Sequence, residues 1–284
     1  RKAANLSEII LRAPATIANF GPGFDIFALA LKQPSDVLKI RLNQTNSIDI
    51  KVTGRDEIIP TAAEKNTAGL AAIHFFKKIK ASVGVDIEII KEMTACAGLG
   101  SSAASAMASV YGLNRLLNSS LANNELIEIA SKGEVASGGA PHADNVAGCL
   151  LGGFIFVRSY HPLDVVRIDA PEIPVVLCVL KKPQTTTRGF IPDRFSLAEV
   201  REQMSFCSSL IHAILKGDLK SMGQAINRDN ISEPVRSRFI PSYDELKKKV
   251  LEAGAFGSNV SGGGSSVFAI CQRENRDEIG KFMK

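Results

Sequence analysis

The chain has 284 residues, 45% hydrophobic and 22% charged, which excludes a disordered or membrane-embedded protein and allows one large or two medium folding units. The net charge of +5 is spread among interleaved acids and bases. That distribution argues against a nucleic-acid partner and suits a small anionic ligand. The longest nearly apolar run, 149–157, falls far short of the roughly 20 residues that cross a bilayer, so no membrane partner is expected. Residues 1–11 lack the apolar core of a secretory signal. The five cysteines (Cys96, Cys149, Cys178, Cys207, Cys271) form no C-x-x-C pair. A cytoplasmic protein with reduced thiols is expected.

In chain order, alternating apolar residues over 37–52, interrupted by turn formers at 43–47, predict a hairpin. Asn66 is placed to cap a helix that carries Leu70, Ile73 and Phe76 on its apolar face. Val85, Ile87 and Ile89 alternate with acids as a half-buried strand. A glycine loop at Gly98 leads into a helix over about 102–117, whose alanines permit close packing. Apolar strands follow near 154–157 and 175–180, separated by a Pro-containing stretch suited to a domain boundary. A helix over 197–215 is expected to bury Val200, Met204, Cys207, Ile211 and Ile214. A further helix covers 243–252, and a strand 267–270 closes the chain. The mixture is α+β throughout.

Three glycine loops carry the chemical signal. The sequence AGLGSSAA (97–104) lies between a strand and a helix, where glycines admit a ligand close to the backbone and free N–H groups favour phosphate oxygens. A branched side chain at Gly100 is expected to block that approach. Ser101 and Ser102 add hydroxyls for phosphate or a phosphate-bound cation. Standing alone, the loop could be a tight turn with serine caps. It also fits a dinucleotide fingerprint, with Glu125 at ribose distance. Against that, the preceding strand alternates with charges instead of running apolar. No Lys directly follows the second glycine of any G-x-x-x-x-G, so a Walker-type site is excluded. The loop RAPATIANFGPGFD (12–25) flanks a Gly-Pro-Gly turn with Asn19 and Asp25, polar groups that a turn alone does not require. The loop SNVSGGGSS (258–266) has three consecutive glycines, which implies close approach by a ligand or another backbone.

Together the loops resemble the three motifs of the GHMP kinase superfamily, and the resemblance runs nearly end to end. It implies an α+β two-domain GHMP kinase fold: a ribosomal protein S5 domain 2-like N-terminal ATP-binding domain (1–160) and a ferredoxin-like C-terminal domain (161–284), with the site between them. Segments 14–25, 142–154, 187–192 and 229–241 resemble the homoserine kinase branch in particular.

By that resemblance, Asn66, Ala97, Gly98, Leu99, Gly100, Ser101, Ser102 and Ala103 would bind ATP, and Glu134 with Ser101 or Ser102 would hold Mg²⁺ as hard oxygen ligands. Arg188 and Arg236 would take the carboxylate of L-homoserine, Asp25 and His142 would lie near its amino group, and Asn19 would orient its side chain, with Gly263 beside them. Asn19, Asp144 and Asn145 would form the catalytic group, either of the latter pair taking the hydroxyl proton or orienting the hydroxyl. Thr94 and Cys96 stand where the middle motif usually has proline and glycine, and Gly263 and Ser265 depart from the usual third motif. The rival readings are a kinase for another small alcohol such as mevalonate or shikimate, and a paralogue that binds nucleotide without turnover. Oligomeric state is left open, a homodimer included.

Overall fold

A computed structural model describes residues 7–55, 59–138, 141–180 and 187–284. Residues 1–6 of the leader reading lie outside it. The first sheet has six strands: β1 (Glu8–Ala18), β2 (Phe27–Asn43), β3 (Ile48–Gly54), β4 (Gly84–Lys91), β5 (Phe154–Tyr160) and β6 (Leu163–Ile168). The long β2 is its spine. One edge pairs antiparallel with β1; the other pairs with β5 near its start and with β4 near its end.

The expected hairpin over 37–52 is corrected here. Both strands and the turn exist, but β4 inserts between them, antiparallel to β2 and parallel to β3. The helix α1 (Thr67–Ile79) makes the crossover that a parallel pair requires. Asn66 caps it through Oδ1, accepting from the N–H groups of Ala68 and Gly69 at 3.0 and 3.4 Å. The buried face of α1 is Ala68, Ala71, Ala72, Phe75 and Phe76, so Leu70 and Ile73 are only half-buried.

Helices α2 (Ser101–Leu116), α3 (Asn123–Gly133), the short α4 (Val135–Gly138) and α5 (Ala143–Leu151) join α1 against the sheet. Twelve of the sixteen residues of α2 are buried. Its alanines, serines and Gly112 let it lie that deep; a Cβ on Gly112 would come within 2.5 Å of Ile40.

The second sheet has the order β7 (Val175–Val179), β9 (Ser266–Ile270), β8 (Gly257–Val260). It is accompanied by α6 (Leu197–Lys216), α7 (Leu219–Ile226), α8 (Glu233–Arg236), α9 (Tyr243–Glu252) and α10 (Arg276–Phe282). A core of Phe20, Phe27, Phe154, Leu210, Ile214, Met222, Ile226 and Phe268 joins the two sheets. A division at 160/161 would cut the β5–β6 hairpin, so we propose that the N-terminal unit runs on through β6.

The face expected for α6 is also corrected. Val200 and Met204 are exposed, whereas Gln203 is buried, its amide donating to Pro22 O at 2.5 Å and to Asp229 at 3.1 Å. Among the described residues, no helix is long and apolar enough to cross a membrane.

Candidate active site

The three glycine loops meet at the junction of the two sheets and bond to one another. Ser261 Oγ donates to Gly98 O at 2.6 Å, Ser266 N to Ala97 O at 3.0 Å, and Gly262 N to Ala18 O at 3.3 Å. The glycines make this contact possible. A Cβ on Gly98 would meet Ser261 O at 2.0 Å, and one on Gly264 would meet Gly98 N at 2.1 Å. The close approach inferred for the third loop is thus made by another backbone. At Gly100 (φ 66°) a Cβ would strike Thr16 Oγ1 at 2.1 Å, so protein crowds that position ahead of any ligand.

Gly100 is the N-cap residue of α2, and the first N–H groups of the helix, on Ser101, Ser102 and Ala103, have no intrahelical acceptor. With the helix dipole they form an anion-binding end. The side chains of Ala97, Leu99 and Ala103 are buried in the core, which leaves only their backbones to a ligand. Asn66 is 2% exposed, and its amide donates to Pro60 O at 2.7 Å, so its side chain is engaged in capping. Cys96 adopts φ 58°, a left-handed conformation that explains the usual glycine there.

The two serines have different surroundings. Ser101 Oγ donates to Asp36 at 2.9 Å. Asp36 is fully buried, pairs with Lys91 at 2.5 Å, and accepts from the N–H groups of Glu92 and Met93. Lys91 in turn donates to Ser101 O and Ser105 Oγ. This network anchors the first turn of α2 from beneath. Ser102 Oγ instead donates to Glu134 Oε2 at 3.2 Å, making it the serine that faces the expected metal ligand.

Glu134 and Asp144 are buried carboxylates, and among the described residues Glu134 Oε1 and Asp144 Oδ1 have no hydrogen-bond partner. Burial pushes Glu134 up to about 8 and Asp144 up to about 7, each against partial relief from hydrogen bonds. Among the described residues, no three His, Cys, Asp or Glu converge. The buried, partnerless oxygen of Glu134 beside the Ser102 hydroxyl suits Mg²⁺, which takes few protein ligands and completes its shell with water and phosphate. Asn145 Oδ1 accepts from Thr16 Oγ1 at 2.6 Å, so its amide is left as a donor.

On the other wall, Phe20 is stacked on Phe268 with centroids 5.3 Å apart, which anchors the first loop. Asn19 (φ 66°) is 3% exposed. Its Oδ1 accepts from Asp25 N at 3.1 Å and its Nδ2 donates to Ser232 Oγ at 3.4 Å. Arg188 pairs with Asp25 through both nitrogens, at 3.1 and 2.6 Å, and the bond to Asp25 raises its pKa. His142 Nδ1 lies 3.5 Å from Arg188 and 3.9 Å from Asp25 Oδ1; burial lowers its pKa, favouring the neutral ring. Arg236 is 4% exposed, donates to Gly262 O at 2.7 Å, and has Nε unpartnered; burial lowers its pKa. Phe24 faces both guanidinium groups, at 5.5 and 5.3 Å. Gly263 is exposed beside Arg236, and its carbonyl accepts from Thr187 Oγ1 at 3.1 Å.

The GHMP kinases N terminal domain profile matches residues 66–153, and the GHMP kinases C terminal profile matches 210–284. A homoserine kinase of Pyrococcus abyssi is 40% identical over 274 residues, covering 96% of this chain and 90% of that protein. The chain belongs to the homoserine kinase family of the GHMP kinases. A homoserine kinase of Methanopyrus kandleri is 39% identical, over 95% of this chain and 89% of that protein. The crystal structure of homoserine kinase from Cytophaga hutchinsonii superposes with a TM-score of 0.93 at 36% identity, covering 100% of this chain and 91% of that one. L. major mevalonate kinase, at 18% identity and a TM-score of 0.71 over 98% of this chain and 92% of that one, shares the fold.

Within this GHMP kinase site, residues named from the sequence fall into two groups, Asn19, Asp25, His142, Arg188, Arg236 and Gly263 on one wall and Ser101, Ser102 and Glu134 at the start of α2, whereas Glu125 is engaged on α3 by Lys78 and the Ala122 N–H. Sequence reasoning missed Thr16, Asp36, Lys91, Tyr160, Thr187, Asp229 and Ser232. Tyr160 donates to Asp25 O at 2.5 Å. Asp229 accepts from Ser232 N and Oγ and from Glu233 N, fixing the start of α8 and so Arg236. Thr16, Thr187, Asp229 and Ser232 lie within segments already quoted, where no role was read for them. Asp36, Lys91 and Tyr160 lie in no motif and join the site through long-range contacts, and a charge inside a strand, as at Asp36, reads as exposed.

Proposed function

We propose that this protein transfers the γ-phosphoryl group of ATP to the side-chain hydroxyl of L-homoserine, giving ADP and O-phospho-L-homoserine. The observation that carries the reading is Arg236, a buried guanidinium with no carboxylate partner among the described residues, set beside the Arg188–Asp25 pair and against the 262–264 loop that also meets Gly98. A buried cation without an anion is costly unless a ligand supplies one. A carboxylate at Arg236 and Arg188 and an ammonium at Asp25 describe an α-amino acid. Mevalonate and shikimate supply a carboxylate but no ammonium.

The N–H groups of Ser101, Ser102 and Ala103 hold the phosphates, and Glu134 with Ser102 would hold Mg²⁺, which supplies charge neutralisation when bound. Asn145, its carbonyl committed to Thr16, donates to the reacting oxygens. The hydroxyl oxygen forms a bond to γ-phosphorus as the bond to the ADP oxygen breaks, and Asp144 takes the released proton at its free oxygen. Asp144 fits that place because its charge acts on Glu134 on one side and on Arg188 and Arg236 on the other. Since phosphoryl transfer rests mainly on positioning, loss of Asp144 should slow turnover without abolishing it.

The deciding experiment is ADP release with ATP, Mg²⁺ and L-homoserine, L-serine, mevalonate or shikimate. L-homoserine should give the highest kcat/KM. A higher value for mevalonate or shikimate would remove the homoserine reading.

A further inference from the structure

The two arginines of the acceptor wall are not equivalent. Among the described residues Arg236, which is buried, bonds to a backbone carbonyl and to no carboxylate, so it is a standing receptor for an anion. Arg188 is half-exposed and already satisfied by a two-pronged bond to Asp25, at 2.6 and 3.1 Å. Before Arg188 can take a substrate carboxylate, that bond must open, and before Asp25 can take an ammonium, the same bond must open.

The two partners differ in freedom. The backbone of Asp25 is pinned on both sides: its N–H donates to Asn19 Oδ1 and its carbonyl accepts from Tyr160 at 2.5 Å. On that held backbone the short Asp25 side chain has little reach, whereas Arg188 is long and the more exposed of the two, so Arg188 is the side chain that swings. Phe24, already within 5.5 Å of Arg188 and 5.3 Å of Arg236, offers a wall along which Arg188 can turn toward Arg236 while keeping its contact with the ring. His142, in reach of both members, is favoured in its neutral form, so it does not replace Arg188 as the cation on Asp25.

We propose that the Asp25–Arg188 ion pair is a charge gate for zwitterions: an ammonium takes Asp25, Arg188 is thereby released, and Arg188 joins Arg236 on the carboxylate. The inference rests on the amino-acid reading of the substrate given above. A ligand with both charges exchanges one ion pair for two. A monoanion strands Asp25 if it takes Arg188, and a monocation strands Arg188 if it takes Asp25; each leaves a charge without its partner. Selectivity against single-charge alcohols then comes from the pair they would break.

The gate makes a prediction that a plain binding pocket does not: deleting one member should improve binding of the ligand that needs the other. Calorimetric titration of the full chain with L-homoserine, 4-hydroxybutyrate and 3-aminopropan-1-ol tests it in wild type, Asp25→Asn and Arg188→Met, with ADP binding as the fold control. Asparagine tolerates the φ of 60° at residue 25. Asp25→Asn should tighten 4-hydroxybutyrate by about five- to tenfold, the worth of a half-exposed pair, while weakening L-homoserine at least as much. Arg188→Met should tighten 3-aminopropan-1-ol by a similar factor and weaken L-homoserine. If Asp25→Asn does not fold, Arg188→Met carries the test alone.

Unchanged or weaker binding of the monoanion to Asp25→Asn, or of the monocation to Arg188→Met, overturns the gate. Failure of L-homoserine to bind wild type overturns the substrate reading instead, and the two single-charge titrations still decide the gate.

Discussion

The two walls of the cleft are built on opposite terms. On the phosphate side, the backbone does the work: glycine loops lock together, Lys91 and Asp36 neutralise each other beneath α2, and Ser101 is held by Asp36. On the acceptor side, charge is left over among the described residues: Arg236 has no anion, Arg188 and Asp25 hold each other, and Asp144 keeps a free buried oxygen. A site for the common cosubstrate can be finished in the ligand-free fold, whereas selectivity for one acceptor is stored as groups whose partners the acceptor supplies.

The largest effect should come where the walls meet. Glu134→Gln keeps the side-chain volume but removes the negative charge beside Ser102, and kcat at saturating Mg²⁺ should fall by about 100-fold or more. Unaltered kcat would take Glu134 out of the metal site. Next is Arg236→Met, where loss of a charge-assisted contact of about 1.5–3 kcal/mol should lower kcat/KM for L-homoserine roughly 10- to 100-fold, with KM for ATP little changed. Its ligand-free Tm should hold or rise, because a buried, unpaired cation is removed. A clear fall in Tm would mean Arg236 is structural.

Gly264→Ala probes the phosphate wall from the other direction. Gly264 lies outside the left-handed region, so the cost is steric alone: overlap with Gly98 N should destabilise the ligand-free protein by about 1–3 kcal/mol in denaturant titration. Equal stability, with a loss confined to ATP affinity, would return that glycine to the ligand.

The smallest effect is electrostatic. Glu134 titrates near 8 and Asp144 near 7, above their ordinary 4.5 and 3.8, so between these limits the folded chain holds protons that the unfolded chain has lost. Their contribution to ligand-free stability is present at low pH and declines as pH rises through that window. Mg²⁺ at Glu134 would displace the proton held there, so the Tm gain on adding Mg²⁺ should be greater at about pH 8.5 than at about pH 6. A pH-independent gain would place the ion elsewhere.

The sequence carried the loops because glycines, small residues and stray polar groups cluster there for reasons that local physics makes visible. Glu134 was singled out by the family resemblance alone, since nothing in its own segment marks it. What stayed hidden depends on distant partners. The alternation of 37–52 is real, yet nothing in it records that β4 comes between the two strands. The face of α6 was misplaced because Gln203, a polar residue, is buried by its bonds to Pro22 and Asp229, whereas Val200 and Met204 face solvent. Asp36 and Lys91 read as surface charges on strands until β2 and β4 pair and bring them together.

The claim that binds these observations is that the acceptor wall recognises a carboxylate and an ammonium together. Comparing kcat/KM for L-homoserine and 3-aminopropan-1-ol in wild type, under saturating ATP and Mg²⁺, tests it directly. The account predicts an advantage of about 100-fold or more for L-homoserine, since the amino alcohol cannot satisfy Arg236 and leaves Arg188 or Asp25 unpaired. Equal values for the two alcohols would contradict it.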